Sequence, residues 1–156
     1  MRKILFTLIV FTFVLAGCRE VKELPQDGDK TASDYLLKAY KTDIKDVKVD
    51  FIDYEDFSKL KNQTNNFIVV ASSLQCEFCE ELIPNFYQMA NEFGIKHTYF
   101  IKFNELDQND KNKIAESFTE PILPTILFVK NANIDEYQGK FDIAELSQKF
   151  EDFIKE

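Results

Sequence analysis

Short apolar runs alternate with amphipathic stretches along this chain, and their spacing predicts an α/β fold. Val47-Lys-Val-Asp-Phe-Ile52 is apolar at alternate positions, the pattern of a half-buried strand. Phe67-Ile-Val-Val-Ala71 is apolar throughout and rich in β-branched residues, which predicts a central strand covered on both faces. Ile95 to Phe103 predicts another strand, parallel to the central one because a whole helix lies between them. A strand from Pro121 through Val129 follows. Asn131-Ala-Asn133 then signals a turn, and Ile134 to Gln138 returns as a hairpin.

The helical stretches follow three- and four-residue spacing. Ser33-Asp34 can cap a short helix over Tyr35 to Tyr40, and Tyr54 to Leu60 carries a second. Leu82, Ile83, Phe86, Met89, Ala90 and Phe93 form an apolar stripe that Gly94 ends, and Pro84 inside it predicts a kink. A short helix is expected from about Asp110 to Phe118. The last helix, Phe141 to Ile154, has Phe141, Ile143 or Ala144, Leu146, Phe150, Phe153 and Ile154 on its apolar side. The expected order is βαβαββα with an extra N-terminal helix: a central mixed sheet with helices on both faces. No repeat or low-complexity tract interrupts it. The 16 phenylalanines, without any tryptophan, read as core packing.

At the junction of central strand and long helix stands Ser72-Ser73-Leu74-Gln75-Cys76-Glu77-Phe78-Cys79. Two cysteines separated by two residues at the start of a helix suit thiol–disulfide exchange. Their Cβ atoms can approach closely enough for an S–S bond. The helix N-terminus offers unpaired N–H groups and partial positive charge to the first sulfur, which favours its thiolate. Against that, Glu77, Glu80 and Glu81 bring like charge nearby, and no basic residue lies between the cysteines. The couple is therefore expected to behave as a reductant or isomerase, with Cys76 titrating well above the value of about 3.5 of strong oxidants and closer to about 7. A structural staple is the poorer reading, because so small a loop constrains the unfolded chain little. A metal site is disfavoured too. His97 is the one histidine and no further free thiol is at hand.

The first residues change where this chemistry is placed. Met1-Arg2-Lys3 is a positive start, Ile4 to Leu15 is apolar apart from threonine, and Leu15-Ala16-Gly17-Cys18 closes the segment. The run is short for a membrane span, which needs about 20 residues. Leu-Ala-Gly-Cys resembles the lipobox of bacterial lipoproteins. That resemblance implies cleavage after residue 17 and a diacylglycerol on Cys18. Residues 18–32, with Pro25 and Gly28, then form a flexible tether to a domain over residues 33–156. The formal net charge is −8, and the leader carries only basic residues, so the remainder is more acidic still. Such a surface disfavours nucleic acid and anionic lipid head groups, leaving the membrane to be held by acyl chains.

From Val47 onward the chain resembles thioredoxin. Beside the Cys-x-x-Cys, Pro84 falls five residues after Cys79, where the family has its helix proline. Leu123-Pro124-Thr125-Ile126-Leu127-Phe128 resembles the family's cis-proline strand, and Gly139 its glycine near the active site. The resemblance implies that Cys76 attacks a substrate disulfide, that Cys79 resolves the mixed disulfide, and that Pro124 sits opposite them. It implies no cofactor beyond the dithiol. Gln75, Glu77, Phe78, Leu123 and Thr125 are the expected substrate-binding residues, with the Leu123 backbone pairing an extended segment. The chain departs from the family at Gln75, usually tryptophan, and at Val70, where thioredoxins often bury an acid. Lys102 stands where the family has that acid's lysine partner, and Glu105 and Glu81 are acids open to the role. The implied protein is a lipid-anchored oxidoreductase outside the cytoplasm, acting on exported protein thiols and disulfides, with a membrane electron donor as a further partner. The alternative is a binding lipoprotein or accessory protein, for example for bacteriocin export, with no catalytic use of the cysteines.

Overall fold

A computed structural model describes residues 31–155. The expected leader over residues 1–17, Cys18 and the tether up to residue 30 lie outside the described residues. Thr31 and Ala32, assigned above to the tether, belong to the first helix, α1 (Ala32–Tyr40). Its cap is Thr31, whose hydroxyl oxygen accepts the Asp34 N–H at 3.1 Å, not the Ser33-Asp34 pair.

The chain continues through β1 (Lys48–Phe51), α2 (Tyr54–Lys61), β2 (Phe67–Ser72), α3 (Glu77–Glu92) and β3 (His97–Lys102). A single 3-10 turn over Phe103–Glu105 leads into α4 (Gln108–Ala115). The hairpin β4 (Thr125–Lys130) and β5 (Asn133–Gln138), then α5 (Ile143–Ile154), complete the domain. These five strands and five α-helices are the stretches that periodicity marks one by one; the order βαβαββα leaves out one strand–helix unit of them. The fourth strand starts at Thr125, not Pro121: Pro124 has no N–H for a ladder and its peptide bond to Leu123 is cis.

The five strands lie in the order β1-β3-β2-β4-β5. β3 runs parallel to both β1 and β2, while β4 is antiparallel to β2 and to β5. β2 is therefore the middle strand, and all six of its residues are buried. Its side chains alternate between two cores. Ile68 and Val70 join α1, α3 and α5, where Leu36, Leu82, Phe86 and Phe150 are buried. Phe67, Val69 and Ala71 join α2 and α4 through Phe57, Leu60 and Ile114. At the hairpin, Asn131 and Ala132 both take positive φ (51° and 64°), the two-residue turn whose twist matches the strands.

α5 is held by Phe150, which stacks on Phe86 and Phe93 and meets Phe128 edge-on, with centroids 5.2–5.4 Å apart. Truncating such a side chain costs about 3–5 kcal/mol. Ile143 or Ala144, and Ile154, placed on the apolar side by periodicity, are exposed instead; they lie at the two ends of the helix.

Candidate active site

β2 delivers the chain to the site. After Ser72 the backbone leaves the sheet, turns through Ser73 and enters α3 at Cys76, which is the helix N-cap. Its Sγ stands where a capping serine oxygen would, and the Cys79 N–H donates to it at 3.2 Å. The sulfur thus occupies the spot where helix N–H groups converge, a position that favours negative charge on it once the pair is reduced. Cys76 and Cys79 are joined as a disulfide, their Cα atoms 5.2 Å apart.

The two sulfurs have different surroundings. Cys76 is half-buried at the surface, whereas Cys79 is 0 % exposed within the core shared by α1, α3 and α5. Cys76 Sγ also lies 3.4 Å from the Leu123 carbonyl oxygen. In the disulfide that sulfur has no proton, so this is a contact; the reduced thiol can donate along the same line. Pro124 is buried behind Leu123, and its carbonyl accepts the Gly139 N–H at 2.9 Å. Gly139 has φ +76°, which favours glycine there on backbone grounds. Space does not, since an added Cβ would meet Ile122 at an ordinary 3.7 Å.

Of the other expected site residues, Gln75, Glu77 and Phe78 are exposed around Cys76, and Leu123 is half-buried beside it. Phe78, 46 % exposed, presents an aromatic face between the two cysteines. Thr125 is fully buried. Its hydroxyl donates to the Ile122 carbonyl at 2.6 Å and accepts from Gln138 at 3.2 Å. It shapes the 122–125 bend and offers no side chain to a ligand. Glu80 and Glu81 are exposed on the first turns of α3. Pro84 lies within α3 without ending it.

Val70 is buried among apolar side chains. Lys102 is not a plain surface lysine. It forms an ion pair with Glu105, and its ammonium lies over the rings of Phe51 (4.7 Å) and Tyr35 (5.3 Å). Glu81 takes no part in that pair. His97 is at the other end of β3, its Nε2 2.8 Å from Asp50 Oδ2. Among the described residues no cluster of three His, Cys, Asp or Glu could hold a metal, and no helix is long and apolar enough to cross a membrane.

Three contacts escaped the sequence reading. The Asn104 side-chain oxygen accepts the Leu74 N–H at 3.4 Å, fixing the loop before Cys76 from the 3-10 turn. Tyr40, the last residue of α1, has its hydroxyl 2.9 Å from Ser72 Oγ, with both residues buried. Tyr87 on α3 is paired in the same way with Thr98 on β3, at 3.4 Å. Their partners are far apart in sequence, so no local pattern marks them.

The thioredoxin family model matches residues 48–152. No curated protein matches the chain. Among solved structures, a thioredoxin of Malassezia sympodialis (Mala s 13) superposes with a TM-score of 0.55 at 21% identity, over 69% of this chain and 91% of its own. Thioredoxin O1 from Arabidopsis thaliana, in its oxidised state, gives 0.55 at 18% identity, over 69% and 98%. Spinach chloroplast thioredoxin F gives 0.55 at 14% identity, over 69% and 94%. At these identities the likeness is one of fold. It leaves α1, which lies outside the matched residues, without a counterpart in the family model.

Proposed function

The chain belongs to the thioredoxin family, and from that premise we propose a membrane-anchored thiol–disulfide oxidoreductase that works outside the cytoplasm, reducing or isomerising disulfides of exported proteins. The observation that carries the exchange chemistry is the asymmetry of the pair: one sulfur at the surface on a helix N-cap, its partner sealed beneath. In the reduced protein the Cys76 thiolate attacks one sulfur of a substrate disulfide. A mixed disulfide forms, and the other substrate sulfur leaves as a thiolate. Cys79 then loses its proton and attacks Cys76 Sγ, re-forming the intramolecular disulfide and releasing the second substrate thiol. The substrate gains two electrons and two protons; the dithiol loses them. For isomerisation, a substrate thiol displaces Cys76 instead, and the protein ends reduced.

An extended substrate segment fits beside Leu123, where its backbone can pair with the chain at the bend before β4. Gln75, Glu77 and Phe78 border the same approach. Three acidic side chains on the first turns of α3 oppose a strongly stabilised thiolate, which supports the reducing or isomerising direction. A potential near that of DsbA, about −120 mV, would contradict that direction. The anchor rests on the Met1–Leu15 pattern and the Leu-Ala-Gly-Cys18 quartet, and the electron donor is then a membrane protein facing the same compartment.

Replacing Cys79 with Ala tests the reading. The Cys76 thiolate of that variant should accumulate exported proteins as mixed disulfides that reducing agent releases and that a Cys76→Ser, Cys79→Ala double variant does not form. If both variants keep the protein's function in the cell, the cysteines are not used and the chain acts as a binding lipoprotein.

A further inference from the structure

The face of the sheet that holds Cys79 is apolar but for a few hydroxyls. Among the described residues, its buried hydroxyls include the Tyr40–Ser72 pair, the Tyr87–Thr98 pair, that of Tyr35, and that of Tyr137, which donates to the Lys140 carbonyl. Their positions differ. Ser72 is the last residue of β2, four before Cys76, and its side chain points to the same face as Val70 two residues earlier. Tyr40 reaches it from the end of α1. Tyr87 lies eight residues beyond Cys79, about 12 Å along the helix.

We propose that the Tyr40–Ser72 hydroxyl pair is a positioning device for the resolving half of the exchange, making helix α1 a working part of the redox site. It rests on the exchange reading above. The argument is geometric. Ser72 is where the chain leaves the sheet for the loop that carries Cys76, and Tyr40 belongs to the buried cluster that encloses Cys79. One hydrogen bond therefore ties the root of the loop to the packing around the second sulfur. In the reduced protein the Cys79 thiol must ionise in largely apolar surroundings, which oppose its thiolate. Oriented hydroxyl dipoles at the strand end supply the polarity that those surroundings otherwise lack.

The charged and titratable neighbours come from every element packed there. Tyr35 meets Tyr40 edge-on within α1, at 6.4 Å. Lys102 on β3 is the register partner of Ser72 and pairs with Glu105 of the 3-10 turn. Glu80 on α3 acts on Tyr40 electrostatically, and Tyr40 in turn acts on Tyr87. Lys38 and Lys41 flank Tyr40 on α1 and just beyond it. None is a buried carboxylate or histidine among the described residues; the ionised group nearest in register, Lys102, is paired with Glu105.

Tyr40→Phe removes the hydroxyl and keeps the ring, leaving the Ser72 hydroxyl buried without its partner. The test mixes fully reduced protein with one equivalent of dithio-bis-nitrobenzoate and follows release of the coloured thiolate. Attack by Cys76 releases the first thiolate, and closure by Cys79 the second. For Tyr40→Phe the second phase should slow about tenfold, the value of one buried hydrogen bond, and its pH profile should move upward. The first phase should stay within about twofold. Ser72→Ala should behave alike, and Tyr87→Phe, which removes an equally buried but more distant hydroxyl, should leave both phases near wild type. If the wild-type protein releases no thiolate, the exchange reading itself fails. If it reacts in two phases but Tyr40→Phe slows neither, or both equally, or Tyr87→Phe slows closure as much, the positioning role is overturned. A Tyr40→Phe chain that does not fold transfers the decision to Ser72→Ala, judged by the same phase ratio.

Discussion

The two faces of the sheet are built from the same strands yet differ in kind. The face under α2 and α4 is a smaller core of Phe57, Val69, Ile114 and their neighbours, where the fully buried Thr125 hydroxyl is bound to the Ile122 carbonyl and Gln138. The face under α1, α3 and α5 holds the larger core, and within it lie the buried Tyr35, Tyr40, Tyr87 and Tyr137, two hydroxyl pairs and the sulfur of Cys79. The first face supports the sheet. The second supports the sheet and also surrounds the Cys79 sulfur.

Substitutions should separate the two faces. The largest effect belongs to Cys76→Ser, which should bring exchange with a protein disulfide down to the uncatalysed rate while circular dichroism stays native. Next, Phe57→Ala and Ile114→Ala on the supporting face should cost about 2–5 kcal/mol in denaturant unfolding. They should leave the ratio of attack to closure unchanged for the molecules still folded. A changed ratio would mean that both faces tune the sulfurs.

A smaller effect distinguishes the faces at high pH. Burial, above all, raises the Tyr40 phenol from its ordinary value to about 12, and burial likewise pushes Tyr35 and Tyr87 upward. These groups favour the folded state while protonated. Their contribution is complete below about pH 10 and is lost as pH rises through the folded values. Alkaline unfolding should therefore begin above pH 10, and the Tyr40→Phe chain should lose less stability between pH 10 and 12 than the wild type. The smallest effect lies far from the cysteines. Hydrogen bonding from Lys48, then from His97, holds the Asp50 carboxyl below its ordinary value. That contribution is present above about pH 4 and disappears as pH falls through the depressed value. Asp50 is partly exposed, so Asp50→Asn should cost under about 1 kcal/mol at neutral pH and nothing in strong acid.

Much of this was legible in the sequence because it is local. Phe67 to Ala71 reads as a central strand from composition alone, and Cys76 and Cys79 fall within one turn of the helix that follows. Asn131-Ala-Asn133 announces the hairpin. What was illegible depends on distant parts of the chain. Periodicity marks an apolar side on the last helix, but only docking decides that Phe150 reaches the sheet while Ile143 and Ile154 stay exposed. The burial of Thr125 follows from its place between Ala71 and Gln138 in the sheet, partners far from it in sequence. The Tyr40–Ser72 bond joins residues 32 positions apart, and nothing around either one announces the other. Lys102 reads as a strand lysine until Phe51 and Tyr35 are seen beneath it.

The central claim is that the two sulfurs do different work, and competitive alkylation of the reduced protein tests it most directly. Brief exposure to substoichiometric iodoacetamide at neutral pH, followed by peptide mass spectrometry, reads which thiol is reactive in the folded chain. The account predicts label on Cys76 and almost none on Cys79 until the protein is unfolded. Equal labelling, or preference for Cys79, would contradict it.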